Sequence, residues 1–115
     1  MQRQFRIRHE KDFARLRQEG RTQQHRLMML SLTPNGLPYN RYGFITGKRL
    51  GKAVSRNRVR RLLREVVCRL HPHLQPGFDI VLVARHPLVG QPLAVVQRTV
   101  EELVQRAGIV ESSAP

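Results

Sequence analysis

Residues Lys48 to Leu70 read KRLGKAVSRNRVRRLLREVVCRL. Within this stretch Val59, Leu62, Leu63, Val66, Val67 and Leu70 fall on one stripe at helical spacing, the pattern of an amphipathic helix packed on a sheet. Ser55 is suited to cap the helix start, and Val54 before it is placed to staple onto Val59. The charge on the other face is unusual. Arg56 and Arg58 sit in the first turn, where the helix dipole disfavours a cation by roughly 0.3 to 1 kcal/mol each. Arg56, Arg60 and Arg64 repeat at i, i+4, which adds like-charge repulsion. Stability alone does not select this arrangement. A helix N-terminus offers free N–H groups to anions, and arginine forks beside it add bidentate phosphate donors, so an RNA backbone recovers the cost on docking. The plain alternative is a solvated basic face. Against it, Glu65 is the single acid within the helix.

Working outward, the chain carries three helices and three strands. Residues 9–19 carry Phe13 and Leu16 at helical spacing and stop at Gly20, a candidate C-cap. Arg26 to Thr33 and Arg41 to Thr46 read as two antiparallel strands, with Pro34-Asn35-Gly36 as turn chemistry between them. Gly77 to Arg85 is a β-branched run of the kind covered on both faces, and it is the best central strand. From Pro92, the residues Leu93, Val96, Val100, Leu103, Val104 and Ala107 form a helical stripe that Gly108 ends. Residues 1–110 therefore read as one domain, with 111–115 a small, polar, disordered tail.

The 115 residues suit one domain with one core. Lys and Arg number 21 against 8 Asp and Glu, a formal charge of +13. At that density the compact state repels itself unless a polyanion is near. Nucleic acid fits this better than a membrane surface, because the apolar face and aromatic anchors that membrane binding needs are sparse. The longest pure apolar run, Ile80 to Ala84, is far short of a membrane span, and residues 1–8 do not build a signal-peptide core. A cytoplasmic protein without a membrane partner is expected. Cys68 is the single cysteine, so no internal disulfide forms.

The ungapped block from Lys48 to Glu65, with Arg56-Asn57-Arg58 at its centre, resembles the RNR signature of the bacterial ribonuclease P protein component. Looser similarity runs through Phe13, Arg41-Tyr42-Gly43-Phe44 and Ala84-Arg85-His86-Pro87, in the family's order. The resemblance implies an α+β class fold, a single-domain α/β sandwich like one domain of a small-subunit ribosomal protein, with a left-handed βαβ crossover through the RNR helix. General connection rules would give the right-handed form. It implies two RNA partners and no small-molecule substrate. The catalytic RNA of ribonuclease P would meet Lys48, Arg49, Lys52, Arg56, Asn57, Arg58, Arg60, Arg61 and Arg64. The single-stranded 5′ leader of precursor tRNA would lie in a cleft lined by Phe13, Arg17, Ser31 and Arg85. Phe13 either stacks a leader base, for roughly 1 to 3 kcal/mol, or is a plain core residue. Arg17 and Ser31 stand where family members often carry further aromatics, which implies a more electrostatic cleft in this chain.

No catalytic constellation emerges from the chain itself. The acids are scattered, with only Asp79 and Glu65 near the expected core, and neither clustered carboxylates nor a nucleophile–base pair is in evidence. Cys68, His71 and His73 depart from the spacing of closed zinc sites, and a buried thiol at a helix end is the expectation for Cys68. The resemblance assigns the chemistry to magnesium bound mainly by the RNA. The competing function is a general RNA-binding or ribosome-associated protein of similar fold, which explains the charge but not the block from Lys48 to Glu65.

Overall fold

The β-branched run after Gly77 forms the strand around which the rest is arranged. The structure, a computed structural model, describes residues 2–111. Its strands are β1 (Arg21–Gln24), β2 (Met28–Pro34), β3 (Arg41–Ile45) and β4 (Phe78–Ala84), and its helices are α1 (Glu10–Glu19), α2 (Ala53–Leu70) and α3 (Leu93–Ala107). They form one four-stranded mixed sheet of order β1-β2-β4-β3. β4 lies between β2, antiparallel to it, and β3, parallel to it, so it is central as its composition requires. β2 and β3 run in opposite directions, as expected, but they are not neighbours, because β4 is inserted between them. The Pro34-Asn35-Gly36 segment thus turns the chain without closing a hairpin. Gly36 takes a φ of 72°, and the Asn35 carboxamide oxygen accepts the Leu37 N–H at 2.8 Å. The parallel pair β3 and β4 is connected through α2, giving the βαβ unit.

Alternation along the strands sorts their side chains into two layers. Leu30, Leu32, Ile80 and Leu82 face α2 and α3, where Val59, Leu63, Val66, Val100 and Leu103 complete the main core. On the opposite face a smaller cluster joins Ile7 and Leu16 to Val81, with Phe13 and Val83 packed against it. A Leu→Ala change at Leu63, which is fully buried, costs about 2 to 5 kcal/mol in such a core.

Three local expectations are corrected. α2 starts at Ala53, and Lys52, without a side-chain cap, precedes it, so Ser55 lies inside the first turn and is not the cap. Gly51, at φ 106°, swings the chain from a 3-10 turn at Lys48–Leu50 into the helix, and this fixes the earlier start. Val54 is 78 % exposed and cannot staple onto the buried Val59. As expected, Gly20 is the C-cap of α1, in extended backbone at φ −70° with its N–H donating to the Leu16 carbonyl, and Gly108, left-handed at φ 74°, closes α3. β1 is a strand that RTQQ gives no apolar alternation to announce. It exists because its register against β2, Arg21 to Leu32 through Gln24 to Met29, is closed by a turn in which His25 Nδ1 accepts the Leu27 N–H at 3.0 Å. Of the tail at 111–115, residues 112–115 lie outside the described residues.

Candidate nucleic-acid interface

α2 presents its arginines where no carboxylate meets them. Val54, Asn57, Arg60, Arg61 and Arg64 line a hollow of about 430 Å³. Among the described residues none of Arg56, Arg58, Arg60, Arg61 and Arg64 forms a salt bridge, and only Arg69, further along the helix, pairs with Glu65, at 2.9 Å. Arg60 donates to Thr46 Oγ1 at 2.6 Å and to Asn57 Oδ1 at 3.3 Å, which fixes it at the end of β3. The Nε atoms of Arg56 and Arg64 are buried without a hydrogen-bond partner. A buried donor left without an acceptor is costly. The first turn holds no acid, so the free N–H groups of the helix end add to the same positive field.

The second surface is the outer face of the sheet. α1 crosses it at one end, where Arg15 donates to the Pro34 carbonyl at 3.2 Å and to Asp79 at 3.1 Å. Beneath α1 lies the row Gly43, Val81 and Ser31, set by the strand register, which continues to the exposed Thr22 beyond the helix. Gly43 is required there: a Cβ would stand 2.9 Å from Phe13 Cε1 and 3.0 Å from Cζ, so its absence lets the Phe13 ring lie on the β3 backbone. Phe13 is half-buried, anchored on Gly43 and Val81. Successive helix residues turn by about 100°, so Phe13 and the exposed Arg17 lie on the side of α1 away from Arg15, Phe13 next to the following row of the sheet. That row, Ile45, Val83, Met29 and Gln24, is the floor of an open trough, with Ile45 39 % exposed.

The far end of the trough opens into a hollow of about 670 Å³ bounded by Arg26, Ile45, Lys48, Arg49, Val83 and Arg85, among others. Arg85 also donates to the Gln24 side chain. The residues expected in a leader cleft are therefore split. Phe13 and Arg17 form one wall and Arg85 stands at the far end, while Ser31 is 8 % exposed and lies in the row that α1 covers. Lys48 and Arg49, grouped with α2 on sequence grounds, border the hollow together with Arg85, and Lys52 is exposed just before α2. Sequence reading missed Arg26 and His86, which line the same hollow. Their charge was visible, but nothing local indicated that the ends of β2 and β4 meet.

The acids lie elsewhere or are occupied. Asp79 is fully buried and accepts from Arg41 Nε at 2.8 Å and Nη2 at 2.7 Å, from Arg15 at 3.1 Å and from Asn35 at 3.1 Å. Burial pushes its carboxyl up, but the hydrogen bonds from Arg41 and Asn35 and the charges of Arg41 and Arg15 outweigh this and hold it below its ordinary value. Glu65 is exposed beside Arg69. Cys68, expected to be buried, is exposed, because it falls at the margin of the α2 stripe next to a small hollow bounded by Phe5, Tyr42 and His71. There burial pushes the Tyr42 hydroxyl up to about 12, against a hydrogen bond from Asn40 and helped by Cys68, and the hydroxyl lies 2.7 Å from His71 Nδ1. Among the described residues no three His, Cys, Asp or Glu side chains are grouped as a metal ion requires. None of the described helices is long and apolar enough to cross a membrane.

An α+β domain with an unpaired arginine face beside an open basic trough is the build of a protein that binds RNA through its phosphates. The comparisons with known proteins agree. The family model described as Ribonuclease P matches residues 1–108. The ribonuclease P protein component of Roseiflexus sp. (strain RS-1) is 42% identical over 114 residues, covering 98% of this chain and 93% of that protein. That of Chloroflexus aggregans is 41% identical over 108 residues, covering 93% and 80%. Among solved structures, the RNase P protein of Staphylococcus aureus superposes with a TM-score of 0.85 at 27% identity, covering 93% of this chain and 98% of that one. The RNase P protein of Thermotoga maritima gives 0.81 at 30%, covering 88% and 96%. The chain belongs to the ribonuclease P protein family, whose members are subunits of a tRNA-processing endoribonuclease. This decides between the two readings of the sequence, in favour of ribonuclease P and against a ribosome-associated protein.

Proposed function

We propose that this chain works in the cytoplasm as the positioning and charge-neutralising subunit of ribonuclease P. Its α2 arginine face, Arg56, Asn57, Arg58, Arg60, Arg61 and Arg64, docks on the catalytic RNA. The trough between α1 and the hollow at Lys48, Arg49 and Arg85 receives the 5′ leader of precursor tRNA. Phe13 offers a ring to a leader base, while Arg17 and Arg85 meet leader phosphates. Ser31, in the row that α1 covers, flanks the trough floor and is not open to the leader.

The observation that carries this reading is the absence of any carboxylate partner for five successive arginines of α2 among the described residues. Those charges stay uncompensated until a polyanion arrives. The chemistry is proposed to reside in the RNA, with magnesium held mainly there, as the family resemblance implies. On the protein, the two acids nearest the core are committed to Arg41 and Arg15 and to Arg69.

The test is reconstitution of purified protein with a bacterial ribonuclease P RNA. The RNA alone should cleave precursor tRNA at high magnesium, the protein should lower the magnesium requirement, and RNA-free protein should cleave nothing. Cleavage by RNA-free protein that disappears in Glu65→Gln would overturn the proposal.

A further inference from the structure

The N-terminal segment carries a second, separate concentration of unpaired arginines. Residues 3–8 read Arg, Gln, Phe, Arg, Ile, Arg, a 3-10 turn at Arg3–Phe5 followed by extended chain, and Phe5 and Ile7 are the side chains that the fold takes in. Phe5 packs 4.8 Å from the His71 ring and edge-on to Tyr39 at 5.6 Å. Ile7 is 7 % exposed, and its N–H donates to the Tyr42 carbonyl at 2.9 Å. Arg6 forms a parallel bridge with Tyr42, so the segment lies along the free edge of β3. The apolar side chains hold the segment down, and the arginines between them are left exposed on an ordered backbone.

Arg3, Arg6, Arg8, His9, Tyr39 and Arg41 bound a concave hollow of about 510 Å³. The carboxylates nearest to it by position, Asp12 and Asp79, both pair with Arg41, at 3.6 Å and 2.7 Å. Among the described residues neither they nor Glu10 forms a salt bridge with Arg3, Arg6 or Arg8. Three guanidinium groups are thus gathered around one concavity with nothing to neutralise them, and each is a planar, permanently charged, bidentate donor. The site also lies apart from the surfaces described above. It stands at the Arg41 end of β3, whereas the trough and the start of α2 adjoin the Ile45 end, about 13 Å away along the strand at 3.3 Å per residue.

We infer that this hollow is a third RNA contact, a backbone phosphate site formed by Arg3, Arg6 and Arg8 and held in place by Phe5 and Ile7. The inference rests on the RNA-binding reading above. The phosphate comes either from precursor tRNA or from the catalytic RNA, and the geometry of the site is the same for both.

The test compares two variants of equal charge: Arg6→Ala with Arg8→Ala, and, as control, Arg21→Ala with Arg98→Ala, exposed positions on β1 and α3. Each full-length protein is titrated against precursor tRNA alone and against catalytic RNA alone over a range of salt. For the RNA that supplies the phosphate, the log–log salt slope of the Arg6/Arg8 variant should be shallower than wild type by about 0.7 to 0.9, since one phosphate is no longer neutralised, and the control should stay near wild type. A change confined to precursor tRNA assigns the site to the substrate, and one confined to catalytic RNA assigns it to the partner subunit. Slopes matching the control on both RNAs overturn the inference. Should the alanine variant melt early, Arg6→Gln with Arg8→Gln keeps more of the aliphatic stem while removing the charge and gives the same reading. If wild type itself binds neither RNA, the proposed function fails, which is a different result from failure of this site alone.

Discussion

Arginine serves two opposite purposes in this molecule, and the difference between the Asp79 site and α2 shows what decides between them. Around Asp79, Arg15 and Arg41 converge on one fully buried carboxylate, and together with Asn35 they tie α1, the turn after β2 and the start of β3 to β4. On α2, five arginines share a helix face with no carboxylate in reach among the described residues. Folding gives the first group a carboxylate, although Arg15 Nε, like those of Arg56 and Arg64, has no hydrogen-bond partner, and among the described residues it gives the second group none. A buried counter-ion makes an arginine part of the fold; its absence leaves the charge available to RNA.

The largest effect should come from breaking the satisfied group. Asp79→Asn leaves Arg15 and Arg41, both still partly exposed, facing a neutral amide, and the loss should reach about 3 kcal/mol, the low end for breaking a buried pair. Chemical denaturation should show that loss, while the molecules that remain folded keep their RNA affinity. The pH dependence has a definite sign. The folded-state carboxyl is held below its ordinary value, so its contribution is present above about pH 3.9, the unfolded value, and is lost as pH falls through the folded one. The variant should therefore show a weaker dependence of stability on pH in that acid range. An unchanged denaturation midpoint would erase the contrast between the two groups.

An intermediate effect is expected at Phe13, which lies between the two regions, anchored on Gly43 yet half-buried. Phe13→Ala should weaken binding of precursor tRNA bearing a leader of several nucleotides by about 1 to 3 kcal/mol, with mature tRNA nearly unaffected. The ratio of the two affinities is the measurement, since a loss of folding alone lowers both together.

The smallest effect on stability should come from the unsatisfied group. Arg58→Ala with Arg61→Ala removes two exposed cations from α2, so the unfolding free energy should move by no more than about 0.5 kcal/mol. Affinity for catalytic RNA should fall, and its log–log salt slope should become shallower by about 0.7 to 0.9 for each phosphate that these arginines neutralise in the wild type. Arg60 is left in place because it also binds the buried Thr46 hydroxyl, a role in the fold that its position in the basic ladder does not reveal. Marked destabilisation of the double variant would show that these arginines, too, belong to the fold.

By itself the sequence determined the two helices with long apolar stripes, the central place of β4 and the basic face of α2, because each follows from local periodicity and charge, and these survive in any environment. The ribonuclease P block from Lys48 to Glu65 was equally legible, since it is one uninterrupted segment. Tertiary structure alone decided the rest. β1 has no apolar pattern and is made by pairing with β2. β4 inserts between β2 and β3 through a long connection that no short turn signal encodes. Phe13 reaches the sheet only because Gly43, thirty residues on, lacks a side chain. Asp79 looked like one of two acids near the core and proved to be the counter-ion of Arg15 and Arg41, since a carboxylate's role depends on which cations the fold brings to it. Arg26, Lys48, Arg49 and Arg85 come together for a related reason: the ends of separate strands converge, and the shared hollow they form belongs to no single stretch of chain.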